Sequence, residues 1–315
     1  MREFAFESTT DDVLDGLSLA GKTILVTGAT AGLGVETSRA LAAAGARVVM
    51  LGRDQEALAK EASELGALGL SGELETQTVD LASLDSIRAS AATCLQAYPS
   101  IDVLINNAGV MACPLLRTAD GFEMQFGTNH LGHFLFTCLL VPALLAAAPA
   151  RVVNLSSTGH KLSNVNLEDP NYQNRDYDKW VAYGESKSAN ILFSVGLDQR
   201  LKDRGVRSLA VHPGVIMTKL SRHLTQEDIE NLMKSAPEGE TMEWKTVEQG
   251  AATSVWAATA PELADKGALY LENCQLAVPA EPGKGGGVED YALDPAAADA
   301  LWSLSEQLVG QEFSF

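Results

Sequence analysis

The sequence predicts an α/β protein of three layers, with helices on both faces of a doubly wound parallel sheet of about seven strands. Three observations carry that expectation. Short β-branched or aliphatic runs alternate with longer Ala/Leu-rich stretches along most of the chain, the pattern of βαβ units. A glycine-rich turn stands between the first such run and the first helical stretch. With 46% hydrophobic and 20% charged residues in 315, the chain has ample material for a buried core. No self-similarity at a period of roughly 20–50 residues is present, which excludes a repeat array.

Taken in order, the runs rich in Val, Ile, Leu and Thr place strands at 23–27, 47–51, 74–79, 103–105, 151–155, 206–211 and 268–271. Between them, helices are predicted over 34–44, 54–65, 83–97, 131–147, 179–201 and 247–259, with a last one over 295–308. Asp54 reads as the N-cap of the second of these. Residues 1–20 form an acidic N-terminal extension, and 21–315 read as a single catalytic domain, because the alternation breaks only once. That break, about 219–245, is charged, carries Met233, Met242 and Trp244, and is read as an inserted helical cap over a substrate site. The glycines of 283–287 follow no strand and open no strong helix, so they read as a loop rather than a phosphate cradle.

Composition removes several function classes. A formal charge of −18, from 23 Lys+Arg against 41 Asp+Glu, disfavours nucleic acid or an anionic membrane as partner, since both need clustered basic charge. The apolar fraction is too high for a disordered chain. Cys94, Cys113, Cys138 and Cys274 show neither CxxC nor metal-type spacing, which predicts free thiols in a reducing cytoplasm and no metal site. The N-terminus is acidic where a signal peptide is basic. The most apolar stretch, 131–148, is interrupted by Gly132, His133 and Pro142 and reads as a core helix rather than a membrane span.

Two motifs carry chemistry on physical grounds. In Thr27-Gly28-Ala29-Thr30-Ala31-Gly32-Leu33-Gly34 the glycines permit a tight turn and let backbone approach a pyrophosphate at a helix N-terminus, where amide dipoles favour anions. An ordinary strand-to-helix turn is the plain alternative. In Tyr183-x-x-x-Lys187 the i, i+4 spacing puts a phenol and an ammonium on one helix face. A nearby cation stabilises phenolate, which predicts a tyrosine pKa drawn from about 10 toward working pH for general acid/base catalysis. The alternative is a chance pair on an exposed helix.

The GxxxGxG spacing of Gly28, Gly32 and Gly34 resembles the short-chain dehydrogenase/reductase family, which has a Rossmann-type fold. Asn106-Asn107-Ala108-Gly109 after the fourth strand, Asn129, Ser156-Ser157, Tyr183 with Lys187, and Pro213-Gly214 with Thr218 extend the resemblance over about residues 22–218. It implies a catalytic tetrad of Asn129, Ser157, Tyr183 and Lys187. Tyr183 would exchange the hydroxyl proton, Ser157 would position the oxygen, Lys187 would lower the tyrosine pKa and hold the nicotinamide ribose, and Asn129 would hold a relay water. Asn129 could equally cap the following helix. His130 and His133 flank it and read as packing or hydrogen-bonded residues outside the site. The implied cofactor contacts are Gly28, Thr30, Ala31, Gly32, Leu33, Gly34, Asn107, Ala108, Gly109, Tyr183, Lys187, Pro213, Gly214, Val215 and Thr218. Asp80 resembles the acid that holds the adenine amino group, with Leu81 beside it; a helix N-cap is its plain alternative.

Cofactor choice is read after the second strand, where an acid would hold the ribose hydroxyls of NAD. Here Arg53 stands instead, suited to a 2′-phosphate, so NADP(H) is favoured over NAD(H). Ala31 occupies a position where some NADP-using relatives carry a second basic residue.

Residues 107–111, 127–134 and 182–190 look like the branch that holds retinol dehydrogenases, WW-domain-containing oxidoreductases and light-dependent protochlorophyllide reductases. The Ala-rich, acidic composition looks bacterial, and the lack of an apolar N-terminal run argues against retinoid work at a membrane. The implied reaction is reversible hydride transfer between a nicotinamide and a ketone, aldehyde or secondary alcohol. The substrate is expected to be hydrophobic or aromatic, in a pocket of residues 111–116, a looped-out insertion at 157–180, and the cap. A C=C reductase of the protochlorophyllide type and a non-catalytic dinucleotide-binding regulator are the alternatives. The assembly is left between a homodimer and a homotetramer.

Overall fold

The computed structural model describes residues 3–234 and 243–315. Its centre is one eight-stranded sheet in the order β3-β2-β1-β4-β5-β6-β7-β8. The strands are β1 (Thr23–Thr27), β2 (Arg47–Gly52), β3 (Glu73–Thr78), β4 (Val103–Asn106), β5 (Ala150–Leu155), β6 (Val206–His212), β7 (Leu269–Glu272) and β8 (Gln275–Leu276). The first seven pair in parallel, and β8 alone runs antiparallel, against β7. The seven expected strands are therefore present, and the eighth is too short to leave a period in the sequence. Because β1 pairs with both β2 and β4, the winding reverses there, and a crevice opens beyond the strand ends.

Period-2 alternation distributes the strand side chains between two cores. Ile24 and Val26 pack on one face with Val48, Met50, Ile105 and Val153, while Leu25 packs on the other with Val49, Leu51, Leu104 and Val152. The first face is covered by α1 (Thr10–Leu14), α2 (Leu33–Ala43), α3 (Gln55–Gly66) and α8 (Val247–Thr259). The second is covered by α4 (Leu84–Ala97), α5 (Gly132–Ala147), α6 (Lys179–Leu201) and α9 (Pro295–Val309). With both faces covered, the central strands are mostly apolar and mostly buried, whereas edge strand β3, ELETQT, has no fully buried residue. The expected core helix is α5. Continuous with the turn before it, Phe126–Ala147 is apolar and long enough to cross a membrane, and most of its apolar window is buried within the protein.

Two expectations are corrected, and the acidic extension is docked: Thr9 and Asp12 close a capping box, and Thr10, Val13 and Leu14 are buried. The Thr10 hydroxyl donates to buried Glu36 of α2, which Arg39 meets at 2.7 Å while also reaching Asp11 at 2.7 Å. The insertion before α6 does not loop out. Arg175 grips Glu185 with two bonds of 2.6 Å, its guanidinium lies 3.6 Å from the Tyr172 ring centroid, and the Tyr172 hydroxyl donates to the same carboxylate at 3.0 Å. The insertion is thereby strapped along α6, a bidentate charge pair fixing what sequence spacing could not show. Finally, Asn129 caps no helix: it lies inside a π-helical turn, Phe126–Leu131, that runs into α5.

The cap comprises a 3₁₀ turn, Lys219–His223, and α7 (Gln226–Lys234). Asp228 pins α7 to the start of α6 through Lys179 at 2.6 Å, and that ammonium with the Thr225 hydrogen bonds holds the carboxyl well below its usual range. Residues 235–242 of the predicted cap, including Met242, lie outside the described residues, and Trp244 follows them.

Candidate active site

A cleft of about 920 Å³ lies beyond the carboxyl ends of the strands, at the reversal between β1 and β4. Every residue assigned from the sequence to catalysis or to cofactor contact lines it except Gly32 and Asn129. Gly32 caps α2 from the outer side of the turn, and Asn129 lies fully buried behind the wall. Asp80 is the one carboxylate in the described wall, against the cations Arg53, Lys187 and Arg222, so the cleft is locally basic in an acidic protein.

The glycine turn is held from behind. Gly28 has φ of +70°, and a Cβ there would stand 2.8 Å from the Ala108 Cα; one on Gly34 would overlap the Gly28 carbonyl. The Asn107 side chain donates to the Thr27 carbonyl at 2.7 Å, and the Thr27 hydroxyl accepts the Asn107 and Ala108 amides at 2.9 and 3.0 Å. His133 lies 2.9 Å from that hydroxyl and donates Nδ1–H to the Asn129 carbonyl at 2.9 Å. It thus braces the floor without entering the cleft, as the sequence suggested, and His130 likewise sits among aromatic rings with Ser305 at 2.7 Å. A dinucleotide fits this frame. The N-terminus of α2 has no capping side chain, and a pyrophosphate can accept its amides and use its dipole.

At the adenosine end Arg53 is exposed on the wall just after β2, and Asp54 turns away to cap α3, accepting the Glu56 and Ala57 amides at 3.0 Å. Asp80 faces the cleft and accepts the Ala82 amide at 3.0 Å; Ser83, not Asp80, caps α4.

At the other end Ser157, Tyr183 and Lys187 converge. Lys187 donates to the Leu155 carbonyl at 3.0 Å, with its ammonium 5.7 Å from the Tyr183 ring centroid, and burial pulls its pKa down to about 8. Burial pushes the Tyr183 phenol up to about 12, while a hydrogen bond with Ser157 pulls the other way. The phenol is therefore not drawn toward neutral pH as the i, i+4 pairing suggested: desolvation outweighs the hydrogen bond with Ser157, and Tyr183 is protonated at neutral pH. Asn129 has its side chain fully engaged, accepting the Val110 amide at 2.8 Å and donating to the Val110 carbonyl and to Ser186 at 2.9 Å each. Its carbonyl already accepts from His133.

Comparison with known proteins agrees with this frame. A family model described as short chain dehydrogenase matches residues 22–229. The chain belongs to the short-chain dehydrogenase family. It is an oxidoreductase of the kind that acts on CH–OH groups. Human retinol dehydrogenase 13 is 40% identical over 298 residues, covering 94% of this chain and 86% of that protein. Short-chain dehydrogenase/reductase prx1 of Penicillium rubens is 39% identical, covering 93% and 86%. Among solved structures, an uncharacterized protein from Mycobacterium paratuberculosis has 36% identity and a TM-score of 0.72, covering 96% of this chain and 98% of that one. The Pseudomonas aeruginosa RhlG/NADP complex has 29% identity and a TM-score of 0.65, covering 81% and 95%.

In this short-chain dehydrogenase the substrate end departs from expectation. Of residues 111–116 only Met111 lines the cleft; Ala112 turns with φ of +48°, and Leu115 and Leu116 point outward. The insertion contributes only Leu162 and Trp180 beyond its first three residues. Met124, Met217, Leu220, Leu224, Ile229 and Trp244 complete an apolar wall, with Leu162, Met217 and Trp244 exposed at its mouth. Sequence reasoning missed His212 and Arg222. The first directly precedes Pro213-Gly214, a signal that was there to use, whereas nothing in the pattern marks the second. Arg222 lies close enough to Arg53 that the second guanidinium, after burial, helps lower its pKa.

Proposed function

We propose that the protein is an NADP(H)-dependent reductase of apolar ketones and aldehydes, able to run in reverse on secondary alcohols. The observation that carries this is the convergence of Ser157, Tyr183 and Lys187 on one cleft whose outer wall is apolar. The nicotinamide, when bound, supplies or takes the hydride. Tyr183 gives its phenolic proton to the developing alkoxide, and its high pKa keeps that proton available at neutral pH. Ser157 donates a hydrogen bond to the same oxygen, as oxyanion donors do. Lys187, buried beside both, holds a ribose hydroxyl and restores the phenolic proton. Asn129 fixes the Val110 strap and, through Ser186, the start of the Tyr183 helix, so it acts on geometry and leaves a relay water to its backbone carbonyl. Pro213, Gly214, Val215 and Thr218 border the nicotinamide end.

Arg53 supports NADP over NAD by bidentate contact with a 2′-phosphate, and Arg222 offers a second cation where Ala31 does not. Two solved relatives, RhlG with NADP and actinorhodin polyketide ketoreductase with NADPH, fit that preference. The apolar wall and the retinol dehydrogenases among the relatives support a hydrophobic substrate. The four cysteines are free and buried, which accords with a reducing cytoplasm.

The test is a panel of aryl, steroid, polyene and aliphatic carbonyls, followed at the nicotinamide absorbance with both cofactors. Turnover of apolar carbonyls with NADPH ahead of NADH is expected. Turnover confined to a pigment C=C bond, or none with any carbonyl, overturns the reading.

A further inference from the structure

His160 belongs to no reacting group, yet it holds the turn that carries Ser157. It lies in the 3₁₀ turn Thr158–Leu162, fully buried, with its ring 5.0 Å from that of Tyr270. Its Nδ1 donates to the Ser157 carbonyl at 2.7 Å, and the Glu289 amide donates to its Nε2 at 3.2 Å. A single neutral tautomer satisfies both bonds, with the proton on Nδ1 and the lone pair on Nε2. Burial favours that state, pushing the ring pKa down to about 4. The His160 carbonyl in turn accepts from the Tyr291 hydroxyl at 2.6 Å. One imidazole therefore ties the serine turn to a segment 129 residues further along the chain.

Ser157 needs such a tie because it lies beyond the sheet. The pairing of β5 with β6 ends at Leu155 and Val211, and the Ser156 amide makes the last backbone contact, to the Val211 carbonyl at 2.7 Å. Past that point the Thr158 amide reaches His212 at the end of β6 at 3.4 Å, and the Ser157 carbonyl is held by the His160 amide at 3.0 Å and by the His160 ring. The Ser157 hydroxyl meets the Gly159 amide at 3.0 Å and the Tyr183 phenol, so a small rotation of the turn moves it off the reacting oxygen.

We propose that His160 is a positioning residue for carbonyl reduction, fixing the Ser157 hydroxyl through its backbone carbonyl while the Glu289 amide fixes the imidazole. The inference rests on the role given to Ser157 above. The test compares His160→Leu, which removes both bonds, with His160→Asn, which keeps a donor toward Ser157. Glu289→Pro, at a φ of −72° that proline adopts, replaces the amide proton that meets Nε2 by the ring Cδ, so it breaks that bond and displaces the imidazole, and it keeps the test standing where His160→Leu fails to fold. Initial rates are read with the most active aryl ketone of the panel, and NADPH binding by quenching of intrinsic fluorescence.

His160→Leu is expected to lower kcat about tenfold, with KM and the NADPH Kd within about twofold of the parent. His160→Asn should recover most of the rate, and Glu289→Pro should fall between. An unchanged kcat in His160→Leu overturns the proposal alone. So does a loss in which kcat, NADPH affinity and melting temperature fall together and His160→Asn restores none of them. An inactive parent protein overturns the reading of Ser157 along with it.

Discussion

The two ends of the cleft are built differently. At the cofactor end the wall is backbone and short side chains fixed by buried polar groups: Thr27, Asn107 and His133 lock the glycine turn, and Asn129 locks Val110. At the substrate end the wall is apolar side chains on a cap and a strapped insertion, with Leu162 and Met217 more than half exposed. A polyanion is recognised by amides and cations at fixed places, so its site must be rigid. An apolar substrate asks mainly for dry surface, which loops can supply.

Acid should have the largest effect, because buried neutral histidines brace both the glycine turn, through His133, and the Ser157 turn, through His160. Burial holds His130, His133, His160 and His212 at pKa values of about 3 to 4, below the ordinary 6.5. Their folded values are depressed, so between pH 6.5 and about 4 the unfolded chain binds protons that the folded chain refuses, and stability falls as pH falls. Each contributes a loss of about 2 kcal/mol at pH 5. Denaturant midpoints at pH 7 and pH 5 measure this, and equal midpoints would show that these rings are not buried neutral. Next in size, Tyr183→Phe should cut kcat by roughly 10²–10⁴ while NADPH titrations stay close to wild type; retained turnover would end the acid/base assignment.

Arg53→Ala should weaken NADPH binding roughly 10- to 100-fold and leave NADH nearly untouched, and isothermal titration with both cofactors decides it. Equal losses would move the 2′-phosphate elsewhere. The smallest effect is expected at the adaptable end. Trp244→Ala should raise KM for aryl ketones about threefold at constant kcat, the mark of lost uniform binding, and a collapse of kcat would mean that the wall orients the substrate as well.

The cofactor end was legible in the sequence because its chemistry demands particular residue types at short spacing. Gly28 and Gly34 stand where no Cβ fits, and Tyr183 and Lys187 are one helical turn apart. What stayed hidden rests on partners far apart in the chain. Glu185 meets Arg175 only because the insertion folds back, Arg222 meets the cleft only through the cap, and His160 meets Glu289 across the completed sheet. The π turn at Phe126–Leu131 looks like plain helix to any periodicity, and the tyrosine pKa depends on burial that spacing does not report. Short elements such as α1 and β8 are fixed by what they dock against.

The docking of the first residues sets an order of events during synthesis. The Phe4 carbonyl accepts from Gln275, 271 positions later, and the Glu7 carbonyl accepts from Gln249. Val13 and Leu14 pack in the core that contains Val255 and Trp256 of α8. Residues 4–14 therefore have no complete seat until the chain through Gln275 has been made, so a segment that precedes β1 is fastened only after β7.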